Sequence, residues 1–236
     1  MNLQDLIEFD QNLLLQLNGS NSLFWDGFMW TVTSTLTWIP AILVLLYVIL
    51  KNNRLNNSLL IVLMIGFTIL LADQFASGLC KPFFARFRPA QDPDFMNMVN
   101  VVNGYRGGRY GFISSHAANT FSVAVFVSLL IKNWKLTVMM LLWAMIPSYS
   151  RIYLGVHYPG DILAGAVAGI IISFCTYKLY IVIRKKINNN RPQYVSCRYS
   201  RTGYSLTDIN MLHLILLLSY FYAVIAGMIS TNLLNL

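Results

Sequence analysis

Long apolar stretches separated by short polar ones dominate the chain, and this pattern predicts helices that span a membrane. A helix needs about 20 apolar residues to cross a bilayer, where it satisfies its own backbone hydrogen bonds. Six stretches fit this description, although the third and fourth are short. They run from about Trp25 to Leu50, Ser58 to Leu79, His116 to Ile131, Leu136 to Tyr149, Gly160 to Ile183 and Ile209 to Leu233.

Two prolines and a tryptophan refine the prediction. Pro40 predicts a kink inside the first stretch, and Pro147 borders the fourth. Trp134 lies between the third and fourth stretches, as expected of a side chain anchored at the membrane surface. The outer loop 80–115 joins the second and third spans, and a basic loop 184–208 joins the fifth and sixth.

The first 18 residues follow a different pattern. Leucine and isoleucine recur there at helical spacing among polar residues, which predicts an amphipathic helix lying on the membrane surface. Acidic residues and the lack of Lys and Arg argue against a signal peptide. We therefore predict a single-domain, all-α integral membrane protein over residues 1–236, with six transmembrane helices after an interfacial N-terminal helix.

Composition agrees with this fold class. The chain is 56% hydrophobic and only 11% charged, whereas soluble domains are about 25% charged. These values exclude disordered, fibrous and small disulfide-rich proteins. Three cysteines, Cys80, Cys175 and Cys197, are too few and too widely spaced for a disulfide framework or a zinc site.

The net charge of +8 is distributed unevenly over the predicted loops. Basic residues concentrate in one set of loops, which the positive-inside rule places in the cytoplasm, with both termini outside. The 184–208 loop, including the Asn188–Asn190 run, is predicted to touch anionic lipid headgroups. Stacking or base-reading features are lacking, so we expect no nucleic-acid partner. These cytoplasmic basic residues are Lys51, Arg54, Lys132, Lys135, Arg184, Lys185, Lys186, Arg191, Arg198 and Arg201.

Several cations lie on the outer side against this bias, and they suggest an anionic ligand. Two histidines, His116 and His157, and the carboxylate of Asp161 lie on the same side. Anions bind where helix N-termini and arginine side chains converge, so a phosphate is the natural candidate. The outer cations are Lys81, Arg86, Arg88, Arg106, Arg109 and Arg151.

The spacing of His157 and Asp161 predicts a catalytic pair. Residues four apart share one face of a helix, and Pro159 suits the start of that helix. A carboxylate bound to one imidazole nitrogen leaves the other nitrogen as a nucleophile or a base. His116 arrives from another helix and could protonate the leaving group, which completes a covalent phosphoryl-transfer scheme without a metal.

These residues resemble the type 2 phosphatidic acid phosphatases. The first family motif, Lys-x6-Arg-Pro, is matched from Lys81 to Arg88-Pro89, and the third, Ser-Arg-x5-His-x3-Asp, from Ser150 to Asp161. The second, Pro-Ser-Gly-His, is imperfect, because Ile113-Ser114-Ser115-His116 has Ile in place of Pro and Ser in place of Gly. The motifs cover residues 81–161.

The resemblance implies a role for each matching residue. His157 would be the nucleophile that forms a phosphohistidine, Asp161 would orient it, and His116 would be the general acid. The phosphoryl oxygens would be held by Lys81, Arg88, Ser114 and Arg151, with Ser115 as an additional hydroxyl donor. Arg86, Arg106 and Arg109 lie outside the motifs and are interpreted as solvated or headgroup-facing charges, with a substrate contact left open for Arg106 and Arg109.

The family resemblance also implies activity on lipid phosphates or pyrophosphates at the outer leaflet, without metal or cofactor. We therefore expect a multi-pass inner-membrane lipid phosphatase with a periplasmic active site, a substrate that enters from the bilayer and no obligate protein partner. Undecaprenyl pyrophosphate is favoured, on plausibility alone. The alternatives are lipid A, phosphatidylglycerol phosphate or phosphatidate as substrate, lipid phosphotransfer, a vanadate-dependent haloperoxidase and, outside the enzymes, an anion transporter.

Overall fold

A computed structural model of the protein describes residues 2–187 and 198–233, which are mostly helical, in agreement with the all-α prediction. An N-terminal helix is present where the first 18 residues predicted one; its position at the membrane surface stays a prediction. The α-helices are α1 (Leu3–Leu17), α2 (Leu23–Thr33), α3 (Ile39–Asn52), α4 (Leu55–Asp73), α5 (Lys81–Phe84), α6 (Ser115–Ile131), α7 (Trp134–Tyr153), α8 (Pro159–Ile187) and α9 (Leu206–Leu233).

The first predicted span is two helices, and the prediction of one span kinked at Pro40 is wrong. Helix α2 ends before Ser34, and a 3₁₀ turn, Thr35–Trp38, leads into α3. Side chains satisfy the carbonyl groups freed at the break: the Thr37 hydroxyl donates to Thr31 O (2.6 Å), and the Trp38 indole N–H donates to Val32 O (2.9 Å). Pro40 falls in the first turn of α3, where it needs no hydrogen-bond partner.

The second span is longer than predicted. Helix α4 runs into a π-helical turn, Gln74–Cys80, which continues as α5 and carries the chain to the site end of the bundle. A π turn shifts the angular position of all residues that follow it, and such turns are frequent at functional sites. Lys81 is the first residue after this turn.

Pro147 does not end the fourth span, contrary to the prediction. Helix α7 continues through it to Tyr153 and so brings Arg151 into the helix. Neighbouring hydroxyls occupy backbone carbonyls around the proline: Ser148 donates to Ala144 O and Ser150 to Pro147 O, at 2.7 and 2.6 Å. Proline is tolerated inside membrane helices where neighbouring groups satisfy the backbone around it.

Four helical segments in residues 2–187 and 198–233 are long and apolar enough to cross a membrane, and the shorter apolar α6 lies among them. The count of six spans stays a prediction. Within the basic loop, the Asn188–Asn190 run, Arg191 and Cys197 lie outside the described residues. The four segments are Thr35–Asn52, Leu55–Phe84, Pro159–Lys186 and Leu206–Ser230.

Helices α6 and α8 pack backbone to backbone through two glycines of α8. A Cβ atom on Gly165 would lie 2.5 Å from the carbonyl oxygen of Ser114, and one on Gly169 would collide with the carbonyl of Ala118. Glycines four residues apart allow two membrane helices to approach this closely. The contact fixes the start of α6, which carries Ser114 and His116, against the start of α8, which carries Asp161.

We expect a Gly169→Val substitution to destabilise the protein by about 1–3 kcal/mol, as overpacking in a tight core does, and to lower activity because it separates α6 from α8. Thermal unfolding in detergent and phosphate release from a lipid phosphate measure the two effects. Gly66→Val on α4 is the matched control, since a Cβ atom there meets nothing within 4 Å. Equal stability of both variants would contradict the close-contact argument.

Candidate active site

The ends of several helices meet at one end of the bundle and bring together all the motif residues. His157 lies in the short connection between α7 and α8, and Asp161 lies in the first turn of α8. Ser114 caps the start of α6, its hydroxyl accepting from Ala117 N at 3.3 Å. The Ser114 N–H donates to the Asp161 carbonyl at 3.0 Å, which ties α6 to α8 at this point.

His157 and Asp161 form the pair that their spacing predicts. The distance from His157 Nδ1 to Asp161 Oδ2 is 3.2 Å, and both side chains are buried, with 2% and 0% exposed. The same carboxylate oxygen accepts from Tyr158 N at 3.1 Å. Because Nδ1 faces the carboxylate, Nε2 is the nitrogen left for chemistry.

The surroundings of His157 favour its neutral form. Burial lowers its pKa well below the usual range, and the positive charges of Arg88, Arg151 and Lys81 lower the pKa further. The ring also makes a hydrogen bond with the backbone of Gly111, which acts in the opposite direction. A neutral imidazole carries the lone pair that a nucleophile requires.

Three cations from three chain segments, Lys81, Arg88 and Arg151, lie near the pair. Arg88 is buried and is held by backbone carbonyls: its Nε donates to Tyr110 O at 3.1 Å, and Nη1 lies 3.4 Å from Val156 O. Arg151 donates from Nη1 to the Thr33 hydroxyl at 3.0 Å and from Nη2 to the Tyr105 hydroxyl at 3.3 Å. The partners of these two arginines are uncharged carbonyl and hydroxyl groups, so the positive charges are not neutralised and stay available to bind an anion.

The Ser115 that departs from the family motif contacts Lys81. Lys81 Nζ lies 2.5 Å from Ser115 Oγ, and Ser115 Oγ lies 2.8 Å from the hydroxyl of Ser77. Ser77 in turn lies 3.4 Å from Asp73, the carboxylate inside the second span. In this arrangement Ser115 binds the Lys81 ammonium directly, which is the contact a glycine could not make.

The imidazole of His116 has a free nitrogen at the site. Its Nε2 atom is buried and has no hydrogen-bond partner, and the ring lies within electrostatic range of Arg151 and His157. Arg151 Nε is buried without a partner as well. Unpaired buried polar atoms are costly, so their presence beside the His157–Asp161 pair fits a place where a ligand completes the hydrogen bonds.

Arg86 and Asp10 belong to this site, and sequence reasoning missed both. Arg86 was interpreted as a solvated or headgroup-facing charge, but its guanidinium contacts Asp161 Oδ1 at 3.1 Å and Asp10 Oδ2 at 2.8 Å. Residues 86–88 are extended and pair with 109–111, where Arg88 N donates to Arg109 O. Since side chains alternate in an extended segment, Arg86 shares a side with Arg88, and this spacing was the available signal.

The two remaining outer arginines have other contacts. Arg106 Nη1 donates to Ala90 O at 3.1 Å, which ties the outer loop to itself. Arg109 lies over the rings of Phe87 and Tyr110, at 5.2 and 5.5 Å. The substrate contact left open for these residues stays untested.

Within residues 2–187 and 198–233, no group of three His, Cys, Asp or Glu side chains is placed to hold a metal ion. Metal independence stays a prediction of the family resemblance. Activity that persists in EDTA is the expected result.

We expect the pKa of His157 to lie below the usual histidine value of about 6.5, since burial and three cations all disfavour the imidazolium. The ring therefore stays neutral as the pH falls through 6.5 and protonates only at lower pH. Histidine-labelled protein in detergent, followed by nitrogen NMR, measures this midpoint, because the chain has only three histidines. His157→Gln assigns the signal.

The Arg88→Ala substitution removes one positive charge that opposes protonation of His157. It should therefore raise the midpoint of the His157 titration. A wild-type midpoint at or above 6.5, or a downward shift in the variant, would contradict the electrostatic description of the site.

Comparison with known proteins gives a consistent result. A family model described as the PAP2 superfamily matches residues 57–185. The chain is 35% identical over 210 residues to the lipid A 4'-phosphatase of Porphyromonas gingivalis, covering 88% of each protein. It is 40% identical over 181 residues to the lipid A 4'-phosphatase of Bacteroides thetaiotaomicron, covering 76% of this chain and 79% of that one.

Two weaker likenesses extend the comparison. An undecaprenyl-diphosphatase of Sulfolobus acidocaldarius is 26% identical over 142 residues, covering 60% of this chain and 63% of that protein. The crystal structure of Aquifex aeolicus LpxE matches with a TM-score of 0.53 and 25% identity, covering 71% of this chain and 93% of that one.

The fold, the site and these relatives define an integral membrane lipid phosphatase that hydrolyses phosphate monoesters. This chain belongs to the PAP2 superfamily, whose model matches more than half of its length. The resemblance drawn from the three motifs is thereby confirmed. The clustered cations alone are also compatible with an anion transporter, but the family and the relatives show that this chain is an enzyme.

Proposed function

We propose that this chain removes the 4'-phosphate of lipid A through a phosphohistidine intermediate on His157. The observation that carries the choice of substrate is the pair of relatives named lipid A 4'-phosphatase, at 35% and 40% identity over most of the chain. Undecaprenyl pyrophosphate, which was favoured from the sequence, has weaker support: the relative named for that substrate is 26% identical over 60% of the chain.

The proposed first step forms the phosphoenzyme. Nε2 of His157 attacks phosphorus, the bond from phosphorus to the sugar oxygen breaks, and His116 donates a proton to that oxygen. Lys81, Arg88 and Arg151 hold the non-bridging oxygens, with hydroxyls of Ser114 and Ser115 nearby. The cations stabilise charge that develops on these oxygens as the bonds exchange.

The proposed second step releases the product. Water attacks the phosphohistidine, His116 accepts a proton from that water, and the phosphorus–nitrogen bond breaks to give inorganic phosphate and free His157. Asp161 keeps Nδ1 occupied in both steps, so the same nitrogen attacks and leaves. Each histidine ends the cycle in the protonation state in which it began.

An apolar groove beside the site supports a substrate with hydrocarbon chains. It has a volume of about 730 Å³ and lies between α1, the end of α5 and the start of α8, with Asp10 and Arg86 in its wall. Several of its apolar side chains are exposed, among them Leu6, Phe84 and Leu163. Exposed apolar side chains at a membrane protein's surface suit contact with acyl chains.

The distribution of charge supports a site on the periplasmic side of the inner membrane. Lys51 and Asp208 pair at the opposite end of the bundle, at 2.8 Å, near the basic residues of the predicted cytoplasmic loops. At the end of the bundle that holds the site, Gly227 near the C-terminus of α9 lies against Phe24 at the start of α2. Helix α1 directly precedes α2, so α1 and the C-terminal end of α9 lie at this same end of the bundle. A cysteine introduced at Asn103 should react with a membrane-impermeant thiol reagent in intact spheroplasts, whereas one at Asn53 should not.

A panel of lipid phosphates tests the substrate. Purified protein in detergent with EDTA is given lipid A, undecaprenyl pyrophosphate, phosphatidylglycerol phosphate and phosphatidate, and phosphate release is measured for each. We expect the highest kcat/KM on lipid A, with mass spectrometry locating the loss at the 4' position. Lipid A lacking the 4'-phosphate is the matched control and should release no phosphate.

Two outcomes would change the proposal. A higher kcat/KM on undecaprenyl pyrophosphate would replace the proposed substrate with the one favoured from the sequence. Phosphorylated acceptor lipid in place of free phosphate would replace hydrolysis with phosphotransfer, since an acceptor hydroxyl would then take the place of water.

A further inference from the structure

The carboxylate of Asp161 has two oxygens, and the catalytic scheme uses only one of them. Oδ2 faces His157, whereas Oδ1 accepts from Arg86 Nη1 at 3.1 Å. The Asp161 side chain is fully buried. A buried carboxylate with an unpaired oxygen would be strongly disfavoured, so this second contact fixes both the charge and the orientation of the group.

The second branch of Arg86 reaches a different helix. Nη2 donates to Asp10 Oδ2 at 2.8 Å, and the other oxygen of Asp10 accepts from Gly160 N at 2.7 Å, in the first turn of α8. The guanidinium also lies 4.0 Å from the centre of the Tyr158 ring. Asp10 is 13% exposed and Arg86 25% exposed, so both are largely shielded from solvent.

These contacts form a continuous chain of groups from α1 to the proposed nucleophile. Asp10, Arg86, Asp161 and His157 follow one another, each in hydrogen-bonding contact with the next. A planar guanidinium can bridge two carboxylates because its N–H groups point in fixed directions. Lysine carries the same charge but lacks the planar, forked guanidinium group, so it could hold only one of the two carboxylates firmly.

We propose that Arg86 is a positioning residue of this phosphatase, which holds Asp161 and thereby His157 for in-line attack. Asp10 anchors Arg86 from the N-terminal helix, so α1 is part of the active site as well as a surface element. This inference rests on the proposed phosphohistidine mechanism. It assigns functions to two charges that no catalytic motif contains.

Arg86→Gln and Asp10→Asn test the proposal. We expect Arg86→Gln to lower kcat by about 10- to 100-fold, the range seen when the outer partners that orient metal-binding histidines are removed. KM should change less than kcat, because both branches of the Arg86 guanidinium are engaged by carboxylates of the protein, Asp161 and Asp10. Asp10→Asn should lower kcat in the same direction by a smaller factor, and Arg86→Lys should restore only part of the lost activity.

The coupling between residues is the readout that distinguishes positioning from a general loss of stability. In an Asp161→Asn background, Arg86→Gln should have little further effect on the rate of phosphoenzyme formation, because the group through which it acts is already changed. Glu8→Gln is the matched control on α1, since Glu8 is exposed. Thermal unfolding of each variant shows whether the fold is intact.

The outcomes separate this inference from the mechanism on which it rests. If the wild-type protein forms no phosphohistidine, the proposed function fails. If the phosphohistidine forms but a folded Arg86→Gln variant keeps the wild-type kcat, or if its effect is fully additive with Asp161→Asn, the positioning role is wrong. A rise in KM with unchanged kcat would make Arg86 a substrate-binding residue instead.

Discussion

Replacement of His157 by alanine should abolish turnover, with a loss of about 10⁶-fold, as for removal of the nucleophile from a serine protease. The reason is geometric: Asp161 holds Nδ1 of His157 at 3.2 Å, so Nε2 is the nitrogen that can attack a phosphate bound by the nearby cations. Without this imidazole, the proposed phosphohistidine cannot form. Phosphate release from the preferred lipid measures the loss.

A phosphoenzyme trap makes the result specific. Wild-type protein quenched early with labelled substrate should carry acid-labile phosphate, and His157→Ala should carry none. His213→Gln is the matched control, since His213 lies in α9 and belongs to no motif. Retention of activity in a folded His157→Ala variant would overturn the covalent mechanism.

Replacement of His116 by glutamine should slow the first step by about 100- to 10,000-fold for a lipid substrate, the usual contribution of general acid catalysis. His116 Nε2 is buried at the site without a partner, so it is available to protonate the oxygen that leaves. A leaving group that departs without a proton should not need His116. The test therefore compares two kinds of phosphate ester.

With p-nitrophenyl phosphate, the burst of phosphoenzyme formation should proceed at nearly the wild-type rate in His116→Gln. The steady-state rate should still fall, because water attack on the phosphohistidine also needs a base. Equal slowing of the burst for both esters would show that His116 binds or orients the substrate and does not act as an acid.

Local spacing carried most of the information that the sequence held about the site. His157 and Asp161 are four residues apart on one helix start, so their contact follows from helix geometry alone. Motif residues from different segments, such as Lys81 and His116, could be placed on one membrane face because apolar spans separate them. The all-helical fold followed from the same apolar pattern.

The ends of helices were not predictable in this way. At the break at Ser34, hydroxyl and indole groups satisfy the freed carbonyls. Helix α7, in contrast, continues through Pro147 to Tyr153. A hydropathy pattern predicts neither the break at Ser34 nor the continuation through Pro147, since the residues before and after each position are mostly apolar. Both errors concern where a helix ends, because side-chain hydrogen bonds decide the ends.

Arg86 and Asp10 illustrate the same limit within the site. The two residues are 76 positions apart, and each taken alone resembles an ordinary charged residue at a membrane surface. Only the folded chain brings α1 against the start of α8 and pairs both carboxylates with one guanidinium. The alternation of Arg86 and Arg88 in an extended segment was a usable signal, but it did not identify the partner.

The sequence by itself determined that one end of a membrane-embedded helical bundle carries a cluster of positive charge and that His157 and Asp161 pair, because apolar spans and helix periodicity are local properties. Tertiary structure alone decided which cations reach the pair, how Ser115 meets Lys81, and that α1 joins the site through Asp10. These contacts depend on the close approach of α6 to α8 across Gly165 and Gly169 and on the burial of Asp161, which requires both of its oxygens to be paired.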